Sequence, residues 1–165
     1  VSLHDSTANF AGTYSLRDTV IHLTAPGEND QISHVLDPVI LATIRTNMAA
    51  RGYTEITTPG ADSTANLGLG ASVSSAEYTG YYWSYWCGIY YYYGCYYPPY
   101  WGTYSYTTGT LFITMWDNRN PVAGERQLVW LNLGNGLLGT GANASRVSDA
   151  INAMFAQSPY VDATT

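Results

Sequence analysis

The chain has 165 residues and a net charge of -6, because twelve acidic residues face six arginines and there is no lysine. A basic surface that would neutralise nucleic-acid phosphates, or dock electrostatically on anionic lipid, is therefore not expected. The length fits one domain with a substantial core, which we predict over residues 1–165. No apolar run reaches the roughly 18 residues of a membrane-spanning helix.

Residues 1–8 show no clear pattern and are predicted to be a loose lead-in. Alternating apolar residues and β-prone composition predict short strands after them. These predicted strands fall within residues 10–17, 20–23, 53–57 and 65–75. The last of them carries glycines on one face, which weakens a strand unless a bulky side chain or another backbone approaches closely.

A helix is predicted over residues 38–51. Asp37 is the candidate N-cap, and Pro38 occupies the first helical position, where its missing N–H costs nothing. Gly52 is placed to take the left-handed conformation that ends a helix. One apolar stripe recurs at helical spacing; it comprises Ile40, Ile44 and Met48.

Residues 110–133 predict two long antiparallel strands at the centre of the sheet, separated by a loop over residues 117–124. In the first strand, one face carries Leu111, Ile113 and Met115. We assign Trp130 of the second strand to the other face, together with Phe112 and Trp116. This aromatic face is expected to need a cover of its own.

The tyrosine-rich segment, residues 78–106, contains thirteen Tyr and three Trp and no charged residue. It is predicted to be an extended excursion between two sheet strands. Its rings could cover the aromatic sheet face, bind a glycan, form a protein interface or lie at a membrane surface. The candidate contact residues are Tyr81, Tyr82, Trp83, Tyr85, Trp86, Tyr90, Tyr91, Tyr92, Tyr93, Tyr96, Tyr97, Tyr100 and Trp101.

Cys87 and Cys95, the two cysteines, lie within this segment. Their spacing matches no metal-binding motif and there is no CxxC, so zinc and thioredoxin-like sites are not expected. A disulfide is predicted if the compartment is oxidising, and in the chain-entropy model it would contribute about 2–3 kcal/mol. The alternative is a pair of reduced thiols.

A second helix is predicted over residues 144–157, with its cap at Asn143 or Ser145. Gly134, Gly136 and Gly139 precede it in the GxGxxG pattern of a dinucleotide site. That site needs a second parallel strand after the helix, and no strand is expected between the helix and Thr165. The helix also begins several residues after Gly139, so its N-terminus would not meet a bound pyrophosphate. A strand-to-helix loop is predicted instead.

No catalytic, cofactor-binding or metal-binding residue is assigned. His4, His22 and His34 have no spacing that would bring them together, so each is expected in a loop or at the surface. Asp117 and Glu125 flank the predicted hairpin loop and are expected to be solvated turn residues rather than a catalytic pair. Neither a GxSxG elbow nor a cysteine–histidine pair is evident. No enzyme activity is therefore predicted.

Most of the chain outside the tyrosine-rich segment resembles the bacterial lipoproteins grouped as domain of unknown function 4136 (DUF4136). The residues that carry the resemblance are Asn9-Phe10, Thr13-Tyr14-Ser15-Leu16, Asp37-Pro38, Ile44, Ala50-Arg51-Gly52-Tyr53, Thr108-Gly109-Thr110-Leu111-Phe112-Ile113, Asp117, Leu128-Val129-Trp130, Ile151, Met154-Phe155 and Ser158-Pro159. The resemblance implies a periplasmic or extracellular domain in a bacterial cell envelope. It implies membrane association only through an N-terminal lipid outside the given chain. It carries no catalytic residues to transfer.

The predicted fold is α+β, a two-layer sandwich of an antiparallel or mixed sheet with two helices on one face. The tyrosine-rich segment is the excursion between sheet strands. The predicted function is a non-catalytic envelope module that is structural or binds another protein. The alternative is a carbohydrate-binding protein that uses the exposed tyrosines and tryptophans, so the expected partner is an envelope protein or a glycan.

Overall fold

The structure is a computed structural model that describes residues 2–24, 27–58, 64–75, 78–80, 95–96, 104–122 and 124–164. Side chains at residues 78–80, 95–96, 104–106 and 122 lie outside this description. No described helix is both long and apolar enough to cross a membrane.

One mixed sheet forms the body of the molecule, and two helices lie against it. The strands are β1 (Ser2–His4), β2 (Thr13–Leu16), β3 (Ile21–Leu23), β4 (Thr54–Glu55), β5 (Leu67–Ser74), β6 (Tyr78–Gly80), β7 (Cys95–Tyr96), β8 (Tyr104–Tyr106), β9 (Leu111–Val122) and β10 (Glu125–Gly134). The helices are α1 (Asp37–Ala50) and α2 (Ala144–Ala156), and a 3-10 turn (His34–Leu36) precedes α1.

Eight strands pair in the order β1-β10-β9-β5-β2-β4, with β3 also beside β5 and β7 also beside β10, while β6 and β8 form a separate ribbon. The pairs β1–β10, β10–β9 and β5–β9 are antiparallel. The short strands β2, β3, β4 and β7 run parallel to their neighbours. The predicted α+β fold with a mixed sheet is therefore confirmed.

Both helices lie on one face of the sheet and build the main core. Ile44 and Met48 of α1 and Ile151 and Phe155 of α2 are fully buried. They belong to one apolar cluster with the sheet residues Leu67, Leu69, Ala71, Val73, Leu111, Ile113 and Met115. This confirms the predicted aliphatic face.

The predicted helix ends are right except at Asp37. Gly52 has φ +82° and the Tyr53 N–H donates to the Met48 carbonyl (3.1 Å), which closes α1 as expected. The Asn143 side chain accepts from the Arg146 N–H (2.9 Å) and caps α2. Asp37 is the first helical residue rather than the N-cap, and its carboxylate contacts histidines instead of the backbone.

The loop predicted over residues 117–124 is wrong, because β9 continues through it to Val122 and β10 begins at Glu125. Val122 pairs with Glu125, so the turn is two residues long, and Gly124 supplies its positive φ of +79°. The extra residues form an irregularity in the pairing. Asp117 is buried rather than solvated. Its carboxylate is satisfied by hydrogen bonds from the Arg119 guanidinium (2.9 Å) and backbone N–H (2.8 Å).

The assignment of Trp130 to the aromatic face is also wrong. Trp130 pairs with Met115 and so projects to the helix side. There its ring packs on Phe155 (centroids 5.3 Å apart) and its indole N–H donates to Ser158 Oγ (3.0 Å).

The second face of the sheet is the side turned away from the helices. Strand alternation places here Gly68, Gly70 and Ser72 of β5, Phe112, Thr114 and Trp116 of β9, and Leu131 and Leu133 of β10. All of them are buried, although they are not part of the main core.

The lead-in prediction for residues 1–8 is wrong as well. Ser2–His4 is an edge strand paired with β10, and the Asp5 N–H extends this pairing by donating to the Val129 carbonyl (2.9 Å). The Asp5 carboxylate accepts from Gln127 (2.7 Å) and Thr7 (2.7 Å). The three residues of β1 are too few to show an extended alternation of apolar and polar residues, so its pairing with β10 is what makes it a strand.

Candidate functional site

Two described strand pairings involve the tyrosine-rich segment, and one of them joins it to the main sheet. Its ends form the β6–β8 ribbon, in which Tyr78 pairs with Tyr106 and Gly80 with Tyr104. Near its middle, β7 pairs with the start of β10, Cys95 opposite Arg126 and Tyr96 opposite Gln127. The segment is thus an excursion between β5 and β9 that returns to the sheet.

Most of the predicted contact residues lie outside the described part of the chain. They are Tyr81, Tyr82, Trp83, Tyr85, Trp86, Tyr90, Tyr91, Tyr92, Tyr93, Tyr97, Tyr100 and Trp101. Tyr96 is placed in β7 by its backbone alone. Cys87 is outside and Cys95 is likewise described only in its backbone, so the disulfide stays a prediction.

Trp116 is the centre of the second face. Its ring lies on Gly68, its direct partner on β5, so closely that a Cβ at position 68 would be 2.2 Å from the indole. The guanidinium groups of Arg17 and Arg126 lie over the ring, 5.8 Å and 5.9 Å from its centroid. The predicted reason for glycine in this strand, a bulky side chain at close approach, is confirmed.

A second candidate site, the His–Asp cluster, consists of His22, Asp30, His34 and Asp37. Strand β3 carries His22, the following loop carries Asp30, the 3-10 turn begins at His34, and α1 begins at Asp37. Pairing of His22 with Val73 of β5 fixes its position under the start of α1. The expectation that His22 and His34 are unrelated is therefore wrong.

The two imidazoles stack with their centroids 3.7 Å apart and their planes at 21°. Each aspartate touches both rings. Asp30 Oδ2 lies 2.6 Å from Nδ1 of His22 and 3.1 Å from Nε2 of His34. Asp37 lies 2.9 Å from Nε2 of His22 through Oδ1, and 2.6 Å from Nδ1 of His34 through Oδ2.

Exposure differs sharply within the cluster, at 3% for the His22 side chain and 65% for His34. The hydrogen bond to Asp37 is the main cause that raises the pKa of His34. Burial alone would raise the pKa of Asp30. Hydrogen bonds from the Ile32 N–H (2.9 Å) and the Ser75 side chain, together with the nearby His22, outweigh this effect, so the pKa of Asp30 is lowered overall.

A cavity of about 490 Å³ opens beside the cluster. His34 and Asp37 form part of its wall, and Arg45, which is ion-paired with Glu55 (3.0 Å), forms another part. Its remaining lining residues are Asp18, Thr19, Val20, Pro38, Leu41 and Ala42. The cluster is thus reachable by a small solute from one side.

His4, the remaining histidine, lies apart from the cluster on β1 and stacks on Tyr160 (centroids 3.7 Å apart). A local signal for the cluster was present in the sequence. Asp30, His34 and Asp37 follow at spacings of four and three, which suit one side of a helical turn. The long-range partner His22 had no such signal.

The sequence model of the family described as "Domain of unknown function (DUF4136)" matches residues 1–160. The chain belongs to the DUF4136 family. Among solved structures, it is similar to a DUF4136 family protein from Bacteroides thetaiotaomicron VPI-5482. The two share 27% sequence identity with a TM-score of 0.75, and the match covers 99% of this chain and 96% of the other. The comparison with curated proteins found no match.

Proposed function

We propose that this DUF4136 protein is a non-catalytic cell-envelope module. In this proposal the tyrosine-rich segment covers the second face of the sheet and presents its outer side to another envelope protein. The observation that carries the proposal is the buried second face, centred on Trp116 and Phe112, beside which the segment is fixed.

The positions of the β6–β8 ribbon and of β7 support the covering role. The β6–β8 ribbon lies next to the end of the sheet where Val73 pairs with Leu111. Strand β7 lies near the opposite end, where Asp117 pairs with Gln127. Six residues of β9 separate these ends, or about 20 Å of strand. The helices occupy the other face, so the second face is the one that the segment covers in this proposal.

The composition supports the contact role. Tyrosine and tryptophan give large contact area at low cost in side-chain entropy, and interfaces are depleted of charge at their centres. An uncharged stretch with thirteen Tyr fits a surface that binds a partner by contact area rather than by charge.

Photocrosslinking in the native bacterium tests the contact role. The photoreactive residue p-benzoylphenylalanine replaces Tyr91 or Tyr100 in the full-length gene product, and exposed Ala49 of α1 is the control position. We expect a discrete adduct with one envelope protein from the tyrosine positions and none from Ala49. Equal adducts from all three positions, or none from the tyrosines, would contradict the proposal.

Glycan binding is the alternative function for the tyrosine-rich segment, and a glycan array tests it. If the purified domain binds a glycan array and Tyr→Ala changes across residues 90–93 abolish this binding, the segment is a carbohydrate surface. The envelope location is tested separately by fractionation and palmitate labelling of the full-length gene product. Recovery in the cytosol without label would contradict it.

A further inference from the structure

We propose that the His–Asp cluster is a divalent-metal site of the zinc type, with His22, His34 and Asp37 as ligands. One donor atom of each of these three residues lies within 4.8 Å of the other two. Two imidazoles and a carboxylate match the protein ligands of zinc centres that keep one coordination position for water.

The contacts of the cluster require either protons or a cation. Carboxylates only accept hydrogen bonds, and a neutral imidazole has a single N–H. Two neutral histidines therefore supply two protons for four short contacts to carboxylate oxygens. In the other two contacts, lone pairs would face lone pairs. A divalent cation placed among His22, His34 and Asp37 removes that conflict.

Asp30 has the position of a supporting carboxylate. Its Oδ2 contacts the two ring nitrogens that face away from Asp37, Nδ1 of His22 and Nε2 of His34. Histidines that bind a metal commonly hold a carboxylate at the second nitrogen, which fixes the tautomer and makes the ligand more basic. Asp30 is thus the residue that orients the imidazoles.

The burial of His22 agrees with a fixed ligand. Its side chain is 3% exposed, so a group of the protein has to satisfy Nδ1. Asp30 Oδ2, 2.6 Å away, is placed to do so, although the present contact lacks good hydrogen-bond geometry among the described residues. An ion on Nε2 would leave the ring proton on Nδ1, facing Asp30, as the supporting role of Asp30 requires.

One ring must move for both histidines to reach a single ion, because stacked rings aim their nitrogens in parallel directions. His34 can make this movement, since its side chain is 65% exposed and begins a short 3-10 turn. His22 is held in β3. The adjacent cavity of about 490 Å³ leaves room for water at the open coordination position.

Metal titration of the whole chain, purified without a histidine tag and stripped with a chelator, tests the site. Zn²⁺ binding is followed by calorimetry, and Co²⁺ binding by the visible absorption band of tetrahedral cobalt. We expect one ion per chain and a melting temperature that rises with Zn²⁺ concentration. The absence of both binding signals at micromolar metal would overturn the proposal.

Variants locate the site. His34→Ala is the first choice, because the exposed side chain leaves the core intact, and Asp37→Asn removes a ligand charge without changing shape. Each should weaken binding at least about 100-fold, whereas Asp30→Asn should weaken it about 10–100-fold. His4→Ala is the matched control and should bind as the unaltered chain does. Equal affinity in His34→Ala and His4→Ala would overturn the assignment.

Discussion

At the scale of the residue, the ring of Trp116 requires a glycine at position 68. The indole occupies the space where any side chain at position 68 would begin, and a Cβ there would lie 2.2 Å from it. The neighbouring arginines, Arg17 and Arg126, extend over the same ring. The second face is therefore shaped around one tryptophan, and its tolerance to change can be measured.

Gly68→Ala should destabilise the protein by about 1–3 kcal/mol, because overpacking displaces the ring or the strand. In a Trp116→Phe background the smaller ring leaves room, so the same change should cost less. Urea denaturation of the four chains of this double-mutant cycle measures the difference. Strictly additive effects would show that the contact is not what selects glycine.

Tyr14 gives the stability of the protein a dependence on alkaline pH. Burial, followed by the nearby Glu55 carboxylate, raises the pKa of Tyr14 to about 12. When folding raises the pKa of a group, its contribution to the stability of the folded protein is fully present below the pKa of the unfolded chain, which is about 10 for tyrosine. This contribution is lost as the pH rises from about 10 through 12.

Tyr14→Phe should therefore lose less stability over this range than the unaltered chain does. Urea denaturation between about pH 9 and pH 12 gives the two slopes of unfolding free energy against pH. Parallel slopes would mean that the Tyr14 hydroxyl does not titrate as described. A steeper slope in the variant would have the wrong sign.

At the scale of the element, Arg51 joins α1 to α2 and the C-terminal tail. Its guanidinium donates to the carbonyls of Ser158 (3.0 Å), Val161 (2.9 Å) and Phe155. The Ala163 N–H donates in turn to the Arg51 carbonyl (3.1 Å). One planar group thus satisfies three backbone acceptors, one in the last turn of α2 and two in the chain that follows it.

Arg51→Lys keeps the charge but cannot reach three carbonyls from one planar fork. We expect a loss of about 1–3 kcal/mol of unfolding free energy, measured by urea denaturation. Arg146→Lys, at an exposed position of α2, is the matched control and should change little. Equal effects of the two substitutions would contradict the role given to Arg51.

Local patterns predicted the helices and the long strands well. Apolar spacing, Pro38, Gly52 and the Asn143 cap all act within a few residues, so they are visible in one stretch of chain. The β1 strand and the face of Trp130 depend on which strand lies alongside and in what register. Strand β1 pairs with residues more than 120 positions away, and the face of Trp130 depends on shifts in the β9–β10 register. Neither is visible in a local sequence pattern.

The same limit applies to the His–Asp cluster. The spacings of four and three residues could have suggested that Asp30, His34 and Asp37 lie close together. His22 joins them only because β3 pairs with β5 and α1 begins directly above it. The four residues of the cluster come from four separate elements, so the absence of a local metal-binding motif was a weak argument against a site.

At the scale of the whole molecule, the two faces of the sheet are covered by different parts of the chain. The helices protect the aliphatic face, and the segment is proposed to protect the second face while meeting a partner. A bond between Cys87 and Cys95 would restrain its middle, where β7 joins β10. Mass spectrometry of unreduced protein should find this bond, whereas two free thiols would refute it.

Side-chain accessibility tests the covering role most directly. In a variant with residues 81–94 and 97–103 replaced by glycine–serine linkers of equal length, hydroxyl-radical footprinting compares Trp116 with Trp130, both buried in the native chain. We expect Trp116 and Phe112 to become labelled while Trp130, under α2, stays protected. Continued protection of Trp116 in the folded variant would contradict the account.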